Sequence, residues 1–168
     1  MQGASVGVAP NKTNFPIDAS FRLMETEYTK ALFITGEIKS SSLTPGQHGF
    51  FITEYGDTRG SCTRMGKHYN PFGVNHGPYW ETKDKRHVGD LKQIEVDSLG
   101  VSQYVYIDSL ASLFGTESIG GRGFVITEFA DDVYSGSPST NPTQSLIDGN
   151  AGKILACGEI IVDDGTDP

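Results

Sequence analysis

The chain has 168 residues, a formal net charge of −8 at pH 7 and 13 basic side chains. A chain of this length folds around one core and buries roughly two thirds of its unfolded surface, so we expect a single domain. The basic residues are scattered, which argues against a surface for nucleic acid or for an anionic membrane, and no apolar run reaches the roughly 18 residues of a membrane span.

The first 20 residues combine Gly, Ala, Asn and Pro with little periodicity, and they predict an irregular N-terminal arm at 1–20. This segment has neither the charged start nor the continuous apolar stretch of a secretory signal. Asn11 begins an Asn-Lys-Thr sequon, so it is a candidate glycosylation site if the protein is secreted.

From residue 21 onward, short runs with alternating apolar residues or β-branched residues predict strands. The predicted strands are 21–28, 31–40, 49–54, 92–96, 102–107, 124–128 and 155–162. Turn-forming Gly and Pro residues separate them, and no segment has a sustained helical period. The pattern predicts an all-β sandwich or barrel at 21–162, followed by an acidic tail at 163–168.

Two long segments, 57–90 and 130–153, interrupt the spacing of the strands, and loops of this length are usually functional or disordered. Three of the four histidines, His68, His76 and His87, lie in the first loop together with Asp90. Three imidazoles and a carboxylate fill the tetrahedral shell of a structural zinc ion. Spacing alone leaves a second interpretation open, in which these are unrelated histidines on a polar loop.

The two cysteines, Cys62 and Cys157, are far apart in the sequence. A single pair at this separation is compatible with a disulfide that closes a long loop, and equally with two unrelated buried thiols.

Short motifs surround the histidines and cysteines and continue to the last predicted strand. They are Leu-Thr-Pro-Gly-Gln-His-Gly-Phe at 43–50, Glu-Tyr-Gly-Asp at 54–57, Gly-Ser-Cys-Thr at 60–63, His-Tyr-Asn-Pro at 68–71, His-Gly-Pro at 76–78, Arg-His-Val-Gly-Asp-Leu at 86–91, Ser-Ile-Gly-Gly-Arg at 118–122, Ala-Asp-Asp at 130–132 and Gly-Asn-Ala-Gly-Lys-Ile-Leu-Ala-Cys-Gly at 149–158. Their order and spacing closely resemble those of the Cu,Zn superoxide dismutases.

This resemblance implies an eight-stranded Greek-key β-barrel with two long loops and a Cys62–Cys157 disulfide. It also implies a zinc site made of His68, His76, His87 and Asp90. Asp131 resembles the aspartate that orients one zinc ligand, here His76, through a hydrogen bond. His48 resembles a buried histidine that supports the barrel and binds no metal.

At three of the family's four copper-ligand positions the chain has no histidine: Phe51, Thr53 and Thr127 stand there, and His68 alone remains. Phenylalanine offers copper no donor atom and a neutral threonine hydroxyl is a poor one, so we expect zinc without copper. The resulting prediction is a non-catalytic zinc-binding protein with a structural, carrier or metal-binding role, and not an enzyme.

Two further departures concern the approach of superoxide. Ile154 stands at the position of the arginine that guides the anion in the family, with Lys153 beside it, and the segment 133–147 has no charged residue. Since steering depends on fixed charges near a channel, we expect it to be lost.

Alternative functions are a weak superoxide dismutase with a non-standard copper site that includes His68, and a cation-binding or interaction protein of extracellular fluid. In the second case calcium would bind Asp163, Asp164 and Asp167 of the tail. Degenerate relatives of this kind include proteins of molluscan haemolymph and some viral proteins. The sequon and the disulfide are compatible with an extracellular member, so we expect an extracellular location, with the cytoplasm as the alternative.

Glu159 and Gly120 occupy positions at which the usual family dimer has apolar residues. A buried glutamate without a partner costs several kcal/mol, so self-association is expected to differ from that dimer. We expect no nucleic-acid partner and no membrane span.

Overall fold

A computed structural model of the chain describes residues 2–10, 17–26, 28–134 and 140–163. In these ranges the strands are β1 (Gln2–Pro10), β2 (Ile17–Glu25), β3 (Leu32–Ser40), β4 (Gly46–His48), β5 (Phe50–Thr53), β6 (Ile94–Val96), β7 (Val101–Asp108), β8 (Gly123–Thr127), β9 (Ile154–Glu159) and β10 (Ile161–Asp163), and the helix is α1 (Pro142–Asp148).

The strands form one large antiparallel sheet and one small one. The large sheet has the order β5-β8-β9-β1-β2-β3-β7, with β10 paired to β1, and the small sheet pairs β4 with β6. Strands that are distant in the chain, such as β1 and β9, are neighbours in this order. The all-β Greek-key barrel predicted from the sequence is therefore confirmed.

Alternating side chains of the strands build the core. In β2 the residues Ile17, Ala19, Phe21 and Leu23 are buried, whereas the residues between them are exposed. The ring of Phe50 stacks on the ring of Phe21 and on that of Phe124, with centroids 4.7 Å apart in both pairs. This aromatic stack joins three strands and fills the interior, so the two long loops lie outside it.

The N-terminal region differs from its prediction. Instead of an irregular arm, β1 covers Gln2–Pro10 and pairs with β2 in a register that places Gln2 opposite Glu25. Its sequence, rich in glycine and alanine, has low β-propensity, and the strand is formed by pairing with β2 and with β9. The sequon at Asn11 lies outside the described residues.

Helix α1 in the second long loop was also not predicted. Asn141 caps its N-terminus by accepting a hydrogen bond from the Gln144 amide, Pro142 occupies the first turn, and Gly149 ends it in the left-handed conformation. These are standard helix boundary residues, but seven residues are too few to display a helical period. No helical segment of the described residues has the length and apolar character that a membrane span requires.

Two covalent or ionic links fasten the first long loop to the barrel. Cys62 in this loop forms a disulfide with Cys157 of β9, as the resemblance implied. Arg86 is buried, and its guanidinium donates to Asp108 Oδ2 at the end of β7 and to the carbonyl of Asp90, both at 2.8 Å. The loop is thereby held at both ends against the sheet.

Candidate metal centre

Four side chains of the first long loop converge on one point. His68, His76, His87 and Asp90 each offer a ligand atom, and these atoms all lie within 4.8 Å of one another. Within the described ranges this is the one group of three or more such side chains. All four members were predicted from the sequence, and the structure brings all four together.

The carboxylate of Asp90 stands at the centre of this cluster. Its Oδ1 lies 3.0 Å from His68 Nδ1, 2.9 Å from His76 Nδ1 and 3.2 Å from His87 Nδ1. Its Oδ2 accepts hydrogen bonds from two backbone amides, those of His87 at 2.8 Å and Gly77 at 3.2 Å. The amides fix the orientation of the carboxylate, and Oδ1 is left to face the three imidazoles.

Two of the imidazole nitrogens have no hydrogen-bond partner among the described residues. They are Nδ1 of His76 and Nδ1 of His87, and both are buried. Each lies within 3.2 Å of Asp90 Oδ1. Ring nitrogens that converge beside a carboxylate in this way suit a bound cation, and three nitrogens with one oxygen suit tetrahedral zinc.

The far nitrogens of the same two histidines are held by other groups. His76 Nε2 lies 2.8 Å from Asp131 Oδ2, and His87 Nε2 lies 3.0 Å from the carbonyl oxygen of Val74. In a neutral imidazole, a ring nitrogen that donates to such an acceptor leaves the opposite nitrogen unprotonated for a metal. The contact brings together Asp131 and His76, the pair that the resemblance implied, and the orienting role of Asp131 stays a prediction.

The electrostatics of the cluster also favour a cation. Burial by itself raises the pKa of Asp90, but close contacts with the three imidazoles hold that pKa well below its ordinary value. Burial lowers the pKa of His68, which keeps this imidazole neutral. Burial acts in the same direction on His76, yet contacts with the carboxylates of Asp131 and Asp90 outweigh it and raise the pKa of His76 to about 10.

Two of the three positions predicted as a degenerate copper site, Phe51 and Thr53, lie beside His68 of this cluster. Phe51 is fully buried, and its ring stacks on the ring of His68 at a centroid distance of 3.9 Å. The hydroxyl of Thr53 donates to the carbonyls of Tyr55 at 2.9 Å and Gly123 at 3.1 Å, and the hydroxyl of Thr127 donates to the carbonyl of Phe129 at 3.1 Å. Both hydroxyls are thus engaged with the backbone.

The residues expected to affect substrate approach are separate from the cluster. Ile154 packs against an apolar group that includes Phe51 and the disulfide, and Lys153 is exposed with its Nζ 3.4 Å from Glu128 Oε1. His48 is buried between two backbone carbonyls, those of Thr127 and Thr44, each 2.9 Å from a ring nitrogen, as expected for a structural residue. Residues 164 and 167 of the acidic tail lie outside the described residues.

Sequence reasoning missed the backbone contributions to the site. The amide of Gly77 and the carbonyl of Val74 carry no side-chain signal, so no motif identifies them. Asp108 was also missed. Its carboxylate accepts a hydrogen bond from the Arg86 guanidinium, which also donates to the backbone carbonyl of Asp90 and thereby positions it. An isolated aspartate at the end of a strand has no pattern that distinguishes it from a turn residue.

Comparison with known proteins identifies the family. Residues 18–160 match the family model of copper/zinc superoxide dismutase (SODC). A Cu-Zn superoxide dismutase of Cryptococcus neoformans var. grubii is 42% identical over 127 residues, which cover 76% of this chain and 78% of that protein. One from Onchocerca volvulus is 41% identical over 129 residues, covering 77% and 78%. An extracellular Cu-Zn superoxide dismutase of Drosophila melanogaster is 42% identical over 123 residues, covering 73% and 65%.

These findings correct one prediction. The chain was expected not to be an enzyme, but it matches an enzyme family over most of its length and the relatives are named as dismutases. The prediction rested on single substitutions at Phe51, Thr53 and Thr127, whereas the four neighbouring side chains that could hold a metal ion are all present. The chain belongs to the copper/zinc superoxide dismutase family.

Proposed function

We propose that this protein binds one zinc ion through His68, His76, His87 and Asp90. The supporting observation is the pair of buried Nδ1 atoms, on His76 and His87, that face Asp90 Oδ1 without a hydrogen bond in the described part of the chain. A buried polar atom left without a partner costs about 1–3 kcal/mol, and one bound cation removes this cost at both nitrogens.

The donor set favours zinc over calcium or magnesium. The last two prefer oxygen ligands and more than four of them, whereas zinc accepts three imidazoles and one carboxylate in a closed shell. When bound, zinc supplies a fixed positive charge and four ligand bonds. The chain's own residues orient the ligands, since Asp131 and the Val74 carbonyl hold two imidazoles and two backbone amides hold the Asp90 carboxylate.

Metal analysis tests this proposal. Purified protein that is stripped with a chelator, reloaded with zinc and dialysed should retain about one equivalent. The Asp90→Asn variant should retain less than about half an equivalent, because it loses the charge that faces the three imidazoles. Asp84→Asn is the matched control, since Asp84 is exposed in the same loop and accepts a hydrogen bond from Thr82, and this variant should bind zinc as the wild type does.

Wild-type protein that retains less than about half an equivalent of zinc would contradict the assignment. Equal retention by the wild type and by Asp90→Asn would place the metal elsewhere.

Superoxide dismutation is the second candidate function, and the names of the relatives favour it. The reaction converts superoxide ions and protons to dioxygen and hydrogen peroxide, which requires a metal that gains and loses one electron. Zinc does not do this, whereas copper does and binds nitrogen and oxygen ligands more tightly than zinc. The position offered to copper is the cluster itself, where His68 is the most accessible ligand, with 10% of its side chain exposed.

We assign no copper to Phe51, Thr53 and Thr127, since the first has no donor atom and the hydroxyls of the other two are bonded to carbonyls. The assay is superoxide decay with protein loaded either with zinc or with copper. Activity above that of the same amount of free copper, lost in Asp90→Asn, supports dismutation at the cluster. Decay no faster than with free copper would reject dismutation and leave the zinc assignment intact.

We further propose an extracellular location, which the disulfide and the extracellular relative support. Glycosylation of Asn11 and calcium binding by the acidic tail stay predictions.

The face that carries Gly120 and Glu159 supports the expectation of a non-standard assembly, because both residues line an open cavity of about 580 Å³ with the charged Asp57, Arg59 and Arg122. Charged groups around a cavity make a poor surface for the apolar dimer contact of the family.

A further inference from the structure

The three imidazoles of the cluster are oriented by different contacts. His76 and His87 each have an acceptor beside the far ring nitrogen, Nε2, at 2.8 Å and 3.0 Å. Among the described residues, the hydrogen bond of the His68 ring is at Nδ1 instead, 3.0 Å from Asp90 Oδ1. A metal-binding imidazole usually has an outer contact that fixes the orientation of its ring. For His68 this contact has to be something other than a hydrogen bond.

The ring of Phe51 supplies such a contact. It is fully buried and stacks on the His68 ring, with centroids 3.9 Å apart and planes 22° from parallel. The same ring stands at 70° to the ring of His76, with centroids 5.9 Å apart. A stacked neighbour in a closely packed interior lets an imidazole slide in its own plane but hinders it from tilting. Phe51 therefore restrains the plane of His68 and also lies against a second ligand.

The backbone of Phe51 is tied to the cluster. Phe51 belongs to β5 and forms an isolated β-bridge with Asp90. The amide of the next residue, Ile52, donates to the carbonyl of Gly89 at 2.9 Å. The aromatic ring and the Asp90 carboxylate thus start from neighbouring points of the backbone, and His68 contacts both. Strand pairing therefore sets the position of the ring relative to the carboxylate.

The far end of the Phe51 ring is closely packed. A methyl group added to Gly49 would lie 2.5 Å from Cε2 and 2.9 Å from Cζ of the ring, so the ring packs directly on this glycine. The backbone of Gly49 is itself held, because its amide donates to the carbonyl of Phe129 at 2.9 Å and its carbonyl accepts from the Thr127 amide at 3.1 Å. The ring is thus a rigid support for the imidazole.

We propose that Phe51 is a positioning residue for metal binding, which holds the His68 imidazole with Nδ1 towards Asp90 Oδ1. This role depends on the zinc site proposed above and adds to it a residue outside the four ligands. Phe51 has no donor atom, so it acts only through His68. Its ring does for this imidazole what the acceptors at Nε2 do for His76 and His87.

A flat ring is required for this role, and apolar volume alone is not enough. Leucine at position 51 fills part of the same space, but it presents no flat face, so the imidazole gains freedom to tilt. Zinc binding then has to remove this freedom, which weakens binding. Loss of a contact that orients a metal-binding histidine typically costs about 10-fold to 100-fold in affinity. We expect the lower end of this range, since Asp90 stays beside Nδ1.

The neighbouring residue offers a matched control. Phe50 and Phe51 are both fully buried in β5, but the Phe50 ring stacks on the rings of Phe21 and Phe124 in the core. Phe51→Leu and Phe50→Leu therefore make the same change at the same burial, and both should lower the temperature of unfolding. In competition with a chromogenic chelator, below both unfolding temperatures, Phe51→Leu should bind zinc about tenfold more weakly than the wild type. Phe50→Leu should bind zinc as the wild type does.

The spectrum of bound cobalt(II) gives a readout that a loss of stability alone does not change. Cobalt(II) absorbs visible light strongly in a tetrahedral site and weakly when water raises the number of ligands. The wild type and Phe50→Leu should show the strong absorption, and Phe51→Leu should show a weaker one, because a tilted His68 gives way to water. Phe51→Met keeps more of the buried volume, so it provides the same two measurements if Phe51→Leu does not fold.

Equal zinc affinities and equal cobalt spectra in the Phe51 and Phe50 variants would overturn the proposal and leave the zinc site in place. Weaker zinc binding by the same factor in both variants would also overturn it, since the ring would then act through the general stability of the barrel. A wild type that retains no zinc would reject the zinc site itself, and the role of Phe51 with it, before any variant is made.

Discussion

At the scale of single residues, Asp90 determines how the cluster receives a metal, since its two carboxylate oxygens have different surroundings. Backbone amides of Gly77 and His87 hold Oδ2, while Oδ1 faces three imidazoles and no backbone donor among the described residues. The carboxylate is therefore oriented before a metal arrives. Because the carboxylate is already oriented, it loses less conformational entropy when a metal binds.

Zinc uptake at neutral pH should release a proton from His76. The pKa of this residue in the metal-free protein is raised to about 10, so the imidazole is charged at pH 7, and it must lose a proton before Nδ1 can bind zinc. The apparent zinc affinity should consequently fall about tenfold for each pH unit below 10, for the one proton that His76 contributes. Calorimetric titration in two buffers with different heats of protonation measures the number of protons released.

Asp131→Asn is the control for this assignment. Removing the negative charge beside Nε2 lowers the pKa of His76, so fewer protons should be released while the fold is kept. Identical binding heats in the two buffers for the wild type would show that His76 is neutral before zinc binds.

At the scale of elements, the first long loop depends on its attachment to β7 through Arg86. The guanidinium is 1% exposed and donates to Asp108, to the Asp90 carbonyl and to the Glu81 carbonyl. It therefore connects the strand, the cluster and the middle of the loop. A buried ion pair that makes further hydrogen bonds loses more stability on removal of one partner than it contributes as a pair.

Replacing Arg86 with Met should lower the free energy of unfolding by about 3–5 kcal/mol, because buried Asp108 is left without its cation. Urea unfolding in the presence of a chelator measures this without a contribution from metal. The matched control is Arg59→Ala, whose pair with Asp57 is exposed and screened by solvent, so its midpoint should hardly move. Equal midpoints for the two variants would contradict the role of Arg86.

Elements and site residues differed in how well the sequence predicted them. The strands with alternating apolar residues were predicted from their periodicity, and the four cluster side chains were predicted from the resemblance of the surrounding motifs to those of the family. Strand β1, helix α1 and the backbone groups that hold Asp90 were not. The first depends on pairing with distant strands, the second is too short for a period, and the last have no side chain to recognise.

At the scale of the whole molecule, the disulfide connects the first long loop to the barrel at a point distant in sequence. Cys62 and Cys157 are 95 residues apart, so the bond restricts most of the unfolded chain. It acts on the same loop that holds the metal cluster. The stability of the molecule and the order of the cluster should therefore change together.

A Cys62→Ala/Cys157→Ala double variant should lose about 4–5 kcal/mol of unfolding free energy, the value of the chain-entropy model for a loop of this length. Urea unfolding of the metal-free proteins measures the loss. Zinc affinity should fall as well, since the loop then has more freedom in the metal-free state. Unchanged stability in the double variant would show that the denatured chain is already restricted by residual structure.

The spacing of the cluster residues suggests the order in which the protein matures. His68 and Asp90, the outermost ligands, are 22 residues apart, whereas the two cysteines are separated by 95. Closing the shorter loop costs less entropy by about 1 kcal/mol, because the cost grows with the logarithm of loop length. If the proposed zinc ion is bound, a newly made chain can thus gather its four ligands before its two cysteines meet, and oxidation of the cysteines then follows as a late step that secures the loop.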